Sequence, residues 1–262
     1  MEIKIKSLIP QIFDRKNTQI NTIQPNKLYV NIASEIAIRL KETNLHFENV
    51  LELNSKSIYT SLKIKETKLI KHLYKTAINN PKNKNIVSFK SDEEYLPIKN
   101  NSLDLVYSIL GLNTVNDLPG TFKQIYNSLK PGGLFIATFW GEGTLSPLAE
   151  SLAYADEKVL KGLYSRIFPF CDIKTLGSLI QRAGFSMPMA DQERNLKQYS
   201  NIRDLFIEIR SFNDKNILTT RPKYFTPKSV FQEAEKYLVR TNDNQPKFSM
   251  PFNIIFVMGW KT

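Results

Sequence analysis

Short apolar segments alternate with amphipathic helical segments along the first half of the chain, and this alternation restricts the fold most. Buried strands are predicted at 49–53, 86–89, 103–108 and 134–139, with a weaker strand at 68–73. Between them, residues 57–64 and 118–129 carry apolar side chains at helical spacing. Strands that alternate with helices predict βαβ units, and therefore a parallel sheet covered by helices on both faces.

The remaining segments predict additions to that sheet. Helices are expected at about 10–15, 29–40, 146–161, 173–183, 200–212 and 226–239, an irregular strand at 185–196 and a final buried strand at 252–260. The last helix begins well, with Thr226 at the N-cap and Pro227 at the first helical position. We therefore predict one α/β domain with a mostly parallel seven-stranded sheet, an antiparallel last strand and a helical cap.

Composition excludes several classes of protein. The 262 residues suffice for one substantial core, and no apolar run is long enough to cross a bilayer. The net charge is +11, but the lysines are scattered and no basic stripe alternates with aromatics, so a solvated surface is favoured over nucleic-acid binding. One cysteine and two histidines provide neither a disulfide nor an expected metal site. With no secretory signal at the N-terminus, a cytoplasmic protein is expected.

The turn after the first strand carries the candidate site. Residues 49–58, NVLELNSKSI, form a strand, a turn and the start of a helix. In nucleotide-type α/β folds this turn carries glycines, because a residue without Cβ permits close backbone approach and positive φ. Asn54, Lys56 and Ile58 occupy the three glycine positions. Asn tolerates left-handed conformations, whereas a β-branched side chain adds bulk.

Several motifs resemble the class I S-adenosylmethionine (SAM) dependent methyltransferases. The landmarks are DEEYLP at 92–97, NSLDLVYS at 101–108 and LKPGGLF at 129–135. Further stretches are similar to one branch of that superfamily: IFDR at 12–15, VNDLP at 115–119, WGEGTL at 140–145, FPF at 168–170, RAGF at 182–185 and MGWK at 258–261. That branch holds the mitochondrial respiratory complex I assembly factor with a methyltransferase fold and its alphaproteobacterial relatives, and is related to the malonyl-carrier-protein methyltransferase of biotin synthesis.

The resemblance implies a Rossmann-like fold with SAM lying across the carboxyl ends of the strands. Its cofactor-binding positions fall on Glu52, Asn54, Lys56, Ile58, Asp92, Glu93 and Ser108. Asp92 and Glu93 have an equal alternative as caps of a turn. The acid that contacts the ribose has no counterpart in the region of residues 71–75, and a cation at position 56 would repel the sulfonium. We therefore expect SAM binding to be weak or lost, and no catalytic residue is assigned.

The resemblance also implies the organisation and the function. One methyltransferase-like domain is expected over 1–262, with N-terminal helices at 1–48, a cofactor-binding core at 49–145, and cap helices with the last sheet elements at 146–262. The expected function is that of a methyltransferase-like protein similar to the complex I assembly factor, with a respiratory-complex subunit or another protein acceptor as partner. Two alternatives stay open. One is an inactive pseudoenzyme that binds a partner protein; the other is an enzyme that hydroxylates a protein arginine or forms a methyl ester on a carrier protein.

Overall fold

Seven strands form one sheet at the centre of the computed structural model, which describes residues 10–15, 27–54, 56–77, 86–212, 215–242, 245 and 247–262. The strands are β1 (Phe47–Glu52), β2 (Ile70–Ala77), β3 (Val87–Lys90), β4 (Leu103–Ile109), β5 (Leu129–Trp140), β6 (Ser186–Tyr199) and β7 (Phe248–Trp260). Their order is β3-β2-β1-β4-β5-β7-β6. Strands β1 to β5 are parallel, and β7 runs antiparallel to both of its neighbours. The predicted sheet is confirmed.

Helices cover both faces of this sheet. They are α1 (Lys27–Glu42), α2 (Ile58–Lys65), α3 (Leu118–Ser128), α4 (Ser146–Leu160), α5 (Ile173–Ala183), α6 (Ile202–Ser211) and α7 (Lys228–Thr241). One buried cluster joins the sheet to α1, α2, α4, α6 and α7, and a second joins it to α3 and α5. Helix α5 has the predicted bounds, 173–183, and the residue after it is Gly184, whose φ of 109° suits a residue without a side chain.

Two predicted boundaries are wrong, and tertiary contacts explain both. Strand β5 begins at Leu129 instead of at the predicted position 134, so Gly132 and Gly133 lie within the strand. They pair with the chain terminus, because the amide of Gly132 donates to the carbonyl of Lys261 at 2.7 Å, and the amide of Lys261 donates to Gly133 at 2.9 Å. Helix α7 begins at Lys228, and the hydroxyl of Thr226 accepts a hydrogen bond from Arg166 at 2.9 Å instead of capping the helix.

The short helix predicted at about 10–15 is also absent from the described residues of that segment. Phe13 forms an isolated antiparallel bridge with Leu218, and the amide of Asp14 donates to the carbonyl of Ile217 at 2.7 Å. The pairing partner lies about two hundred positions away, so the local sequence carries no signal for it. Within the described residues, no helix is long and apolar enough to cross a membrane.

Candidate functional site

The predicted site residues meet at the carboxyl edge of the parallel strands. Glu52 is the last residue of β1, Ser108 is the last but one of β4, and Asp92 follows β3 by two positions. Because β1 is parallel to β2 and β4, and β2 to β3, these strand ends lie on one edge. The predicted placement of these three residues is therefore confirmed.

Glu52 is held by three hydroxyl groups. Its carboxylate accepts hydrogen bonds from Thr60 at 2.9 Å, from Tyr107 at 3.0 Å and from Ser61. The residue is 1% exposed. Burial and the neighbouring carboxylate raise the pKa of Tyr107 well above its usual value. Because Thr60 and Ser61 belong to α2, these bonds fasten that helix to the end of β1.

Asn54 closes the gap between the ends of β1 and β4. Its backbone is left-handed, with φ of 47°, as expected for a position that favours glycine. The side-chain amide donates to the carbonyl of Gly111 at 2.7 Å, and the backbone amide donates to Thr76 at 3.2 Å. A Cβ on Gly111 would lie 2.8 Å from the carbonyl oxygen of Leu53, which shows how closely the two loops pack. The strand order reverses between β1 and β4, so this is the switch point at which doubly wound folds bind their ligands.

The other two glycine positions, 56 and 58, lie at the start of helix α2. Ile58 is its first residue and packs half-buried against the core. Ser57 caps the helix, since its hydroxyl accepts a bond from the amide of Tyr59 at 3.3 Å. Lys56 is half-buried, and Ser55 lies outside the described residues. The turn therefore forms an ordinary capped helix start, and it lacks the glycines that would let a ligand approach the backbone closely.

A buried lysine occupies the end of β2. Lys75 lies opposite Glu52 in the register of β2 and β1, and it is 3% exposed. Burial lowers the pKa of Lys75, and the carboxylate of Glu52 partly offsets that effect. The ribose of SAM is expected beside the end of β2, where the family has an acid. The sequence predicted the loss of that acid, but not that a cation would be buried in this region.

Arg15 binds all three acidic residues that follow β3. Its guanidinium contacts Asp92 at 2.6 Å and Glu94 at 2.9 Å, and also pairs with Glu93. The Glu93 side chain is fully buried, and this burial raises the pKa of Glu93 to about 7, while the nearby guanidinium opposes the shift. Asp92 also accepts a bond from the amide of Glu94 at 2.9 Å, as a turn cap does. The sequence pointed to this arginine only as part of a family motif.

The segment that carries Arg15 is fixed to the rest of the edge through Asn116. The amide of Phe13 donates to the side-chain oxygen of Asn116 at 2.8 Å. The backbone amide of Asn116 in turn donates to Glu94 at 2.7 Å. The aromatic ring of Phe13 meets that of Phe168 edge-on, with centroids 5.9 Å apart. The N-terminal segment therefore lies across the cluster of acids.

Ser108 and Asn113 make bonds within the protein. The hydroxyl of Ser108 donates to the carbonyl of Leu53 at 2.9 Å. Asn113 donates to the carbonyl of Leu110 at 3.0 Å and accepts from the amide of Trp140 at 2.9 Å. Both side chains thus join neighbouring strand ends. Within the described residues, no group of three or more His, Cys, Asp or Glu side chains could hold a metal ion.

The edge fits SAM in two respects and departs from it in three. Among the described residues, Oδ1 of Asn54 and Oε1 of Glu93 are buried acceptors without a hydrogen-bond partner, and both could accept from the amino groups of SAM. Against this, the Asn54 amide fills the switch point, Lys75 is buried near the ribose position, and Arg15 already binds the acids. The arrangement does not match a glycine-lined SAM site.

Comparisons with known proteins identify the family. A model described as a methyltransferase domain matches residues 50–137. The human protein named arginine-hydroxylase NDUFAF5, mitochondrial, is 29% identical over 265 aligned positions, which cover 95% of this chain and 77% of that protein. Putative methyltransferase RP459 of Rickettsia prowazekii (strain Madrid E) is 30% identical over 155 positions, covering 58% of this chain and 68% of that protein.

A solved structure supports the same assignment at the level of the fold. The YcgJ protein of Bacillus subtilis superimposes with a TM-score of 0.56 at 13% identity, covering 90% of this chain and 99% of that one. The sequence relatives and the strand order agree. This chain belongs to the class I methyltransferase family whose cofactor is SAM, and it is a homologue of the protein named arginine-hydroxylase NDUFAF5.

Proposed function

We propose that this chain acts as an assembly factor of the complex I type, and that its cofactor edge binds SAM weakly or not at all. Its partner would be a respiratory-complex subunit or another protein acceptor, and its location the cytoplasm. The support for the assembly role is the resemblance of the motifs at 12–15, 115–119 and 140–145 to the assembly-factor branch, together with the 29% identity to NDUFAF5. The closure of the switch point by Asn54 is the observation that carries the proposal of weak binding.

The side chain of Asn54 stands in the path of the cofactor. SAM bound across the switch point would have to displace the amide from Gly111. A lost hydrogen bond costs about 0.5–1.5 kcal/mol, and an overpacked site costs roughly 1–3 kcal/mol. Each 1.4 kcal/mol is about a tenfold change in affinity. Together these terms would move a micromolar ligand toward the millimolar range.

The adenosine half of SAM meets a second obstacle. Its adenine would lie near Asp92 and Glu93, both of which already bind Arg15. Its ribose would lie near the buried Lys75. The protein also lacks the acidic residue that binds the ribose hydroxyl groups in this family. These features weaken the two halves of the ligand separately, so repairing the turn alone should restore only part of the affinity.

Calorimetric titration with SAM and S-adenosylhomocysteine tests the proposal. We expect little or no heat for the wild-type chain, and affinity at least about tenfold higher for the triple variant Asn54→Gly, Lys56→Gly and Ile58→Gly. The variant Asn44→Gly is the matched control, because Asn44 is exposed and has a similar φ of 54° away from the edge. A low-micromolar dissociation constant for the wild-type chain would overturn the proposal.

A second candidate, an active SAM-dependent enzyme, is favoured by the two unpaired acceptors Asn54 Oδ1 and Glu93 Oε1. Its acceptor would be a protein side chain or a carrier-bound carboxyl group. Under this alternative, Asn54→Gly removes a ligand contact and weakens SAM binding. Under our proposal the same substitution strengthens binding, so the sign of the change separates the two functions.

A further inference from the structure

A large cavity lies beside the cofactor edge, between α4, α6, α7 and the ends of β5 and β7. Its volume of about 920 Å³ is in the upper part of the range of small-molecule sites. Trp140, the last residue of β5, lines the cavity and donates its backbone amide to Asn113 in the loop after β4. Of the residues that the structure describes, 54, 56–58 and 92–94 do not line it. The cavity is thus a neighbour of the cofactor edge and does not overlap it.

Three aromatic rings form one wall of the cavity. Trp140 lies 5.1 Å from Phe212 and 6.0 Å from Phe252 between ring centroids, and the two phenylalanines are 5.5 Å apart. A second pair, Phe206 on α6 and Phe231 on α7, meets edge-on at 5.3 Å, and both are only half-buried. An apolar surface of this kind favours a hydrocarbon group as ligand.

Four exposed basic side chains also line the cavity. They are Arg203, Arg210, Lys215 and Lys228. Within the part of the chain that the structure describes, none of the four makes an ion pair or a side-chain hydrogen bond. Arg203, Phe206 and Arg210 lie at helical spacing on α6, so charge and aromatic surface belong to one face of that helix.

The nearby carboxylates are engaged elsewhere. Glu235, which lines the cavity, accepts a bond from the amide of Ile202 at 2.9 Å. Glu208 of α6 binds Lys197 and Tyr199. Arg166, a fifth basic residue of the lining, is neutralised by two bonds to the buried Asp156, at 2.7 and 2.6 Å. Four unpaired cations therefore stand against the single carboxylate of Glu235 in the described lining, and the cavity combines an apolar interior with a net positive charge.

We propose that this cavity binds an amphiphilic anion, a molecule with one hydrocarbon chain and a carboxylate or phosphate head. The chain lies against the wall formed by Trp140, Phe212 and Phe252. The head group is bound by the basic side chains, chiefly Arg203 and Lys228, because each lies one helical turn before a ring of the Phe206–Phe231 contact that joins α6 to α7. This inference goes beyond the assembly function and does not depend on SAM, because the two sites share none of the residues that carry either argument.

Fluorescence quenching of Trp140 tests whether the hydrocarbon chain of the ligand lies in the cavity. The chain has two tryptophans, so Trp260→Phe leaves Trp140 as the only one. In this background we expect 12-bromododecanoate, titrated below its micelle concentration, to quench the emission of Trp140 saturably. Dodecanoate and dodecyl phosphate should compete with it, and the tighter of the two identifies a fatty acid or a phosphorylated lipid as the source of the head group. Absence of saturable quenching would overturn the proposal.

Charge variants test the role of the basic residues. The double variant Arg203→Gln and Lys228→Gln should bind dodecanoate at least about tenfold more weakly, while its binding of neutral dodecanol stays unchanged. The matched control removes one arginine and one lysine from the exposed surface of α5, by Arg182→Gln and Lys174→Gln, and should have no effect. Equal losses of dodecanoate affinity in the two double variants would refute recognition of an anion. So would equal affinities of dodecanol and dodecanoate for the protein that carries all its basic residues.

Discussion

Replacing Arg15 by methionine removes a buried cation from three carboxylates. The side chain of Arg15 is 7% exposed, and its partners Glu93, Glu94 and Asp92 are 0%, 13% and 44% exposed. Breaking a buried pair by removing one member costs about 3–5 kcal/mol, because the other charge stays buried without compensation. The partly exposed Asp92 contributes little to that cost. We therefore expect Arg15→Met to lower the free energy of unfolding by about 3 kcal/mol.

Urea unfolding followed by circular dichroism measures this loss. In thermal unfolding, a loss of about 3 kcal/mol corresponds to a fall of about 6–12 °C in the melting temperature. Arg221→Met is the control, since Arg221 binds Asp14 at 2.9 Å with both side chains about one-third exposed, and should lose less than about 1 kcal/mol. Adding Glu93→Gln to Arg15→Met should recover part of the loss. Equal effects of the two arginine substitutions would refute the assignment of a buried ion pair.

Three further outcomes follow from the structure. Burial raises the pKa of Glu93 from 4.5 to about 7, so the folded state holds that proton more tightly than the unfolded state does. The free energy of unfolding should therefore fall as pH rises from about 4.5 to 7. Glu93→Gln should flatten this slope, which urea titrations at several pH values would detect. Tyr107→Phe removes a buried donor to Glu52 and should cost about 1.5–3 kcal/mol in thermal unfolding; a loss below about 0.5 kcal/mol would contradict the geometry. The amides of β7 within 252–260 should be among the last to exchange with deuterium, and rapid exchange there would contradict an inner strand.

The sheet was predictable because its signals are local. Apolar runs marked β1, β4, β5 and β7, and the parallel arrangement followed from the helices between strands. Parallel pairing then placed the ends of β1 and β4 on one edge, which located Glu52 and Ser108 without any knowledge of their contacts. The role of Gly184 was equally local, since a helix end that requires positive φ selects glycine.

The chemistry of the edge was less predictable because it depends on distant partners. Arg15 meets Glu93 across 78 positions, and the amide of Asn54 meets Gly111 across 57. Neither contact has a periodic pattern in the sequence. Position 54 visibly lacks the usual glycine, but the hydrogen bond by which the asparagine side chain closes the switch point depends on a partner that is 57 positions away. The burial of Lys75 was hidden for the same reason.

The N-terminal segment also links two parts of the molecule mechanically. Asp14 and Ile12 bond to the backbone of residues 217 and 219, next to Lys215 and Asn216 in the cavity lining. Arg15, one position further on, binds the acids of the cofactor edge. Pulling this short segment away would therefore release the loop beside the cavity and leave Asp92, Glu93 and Glu94 without their arginine in a single movement. Six residues thus connect the cavity lining to the acidic cluster at the sheet edge.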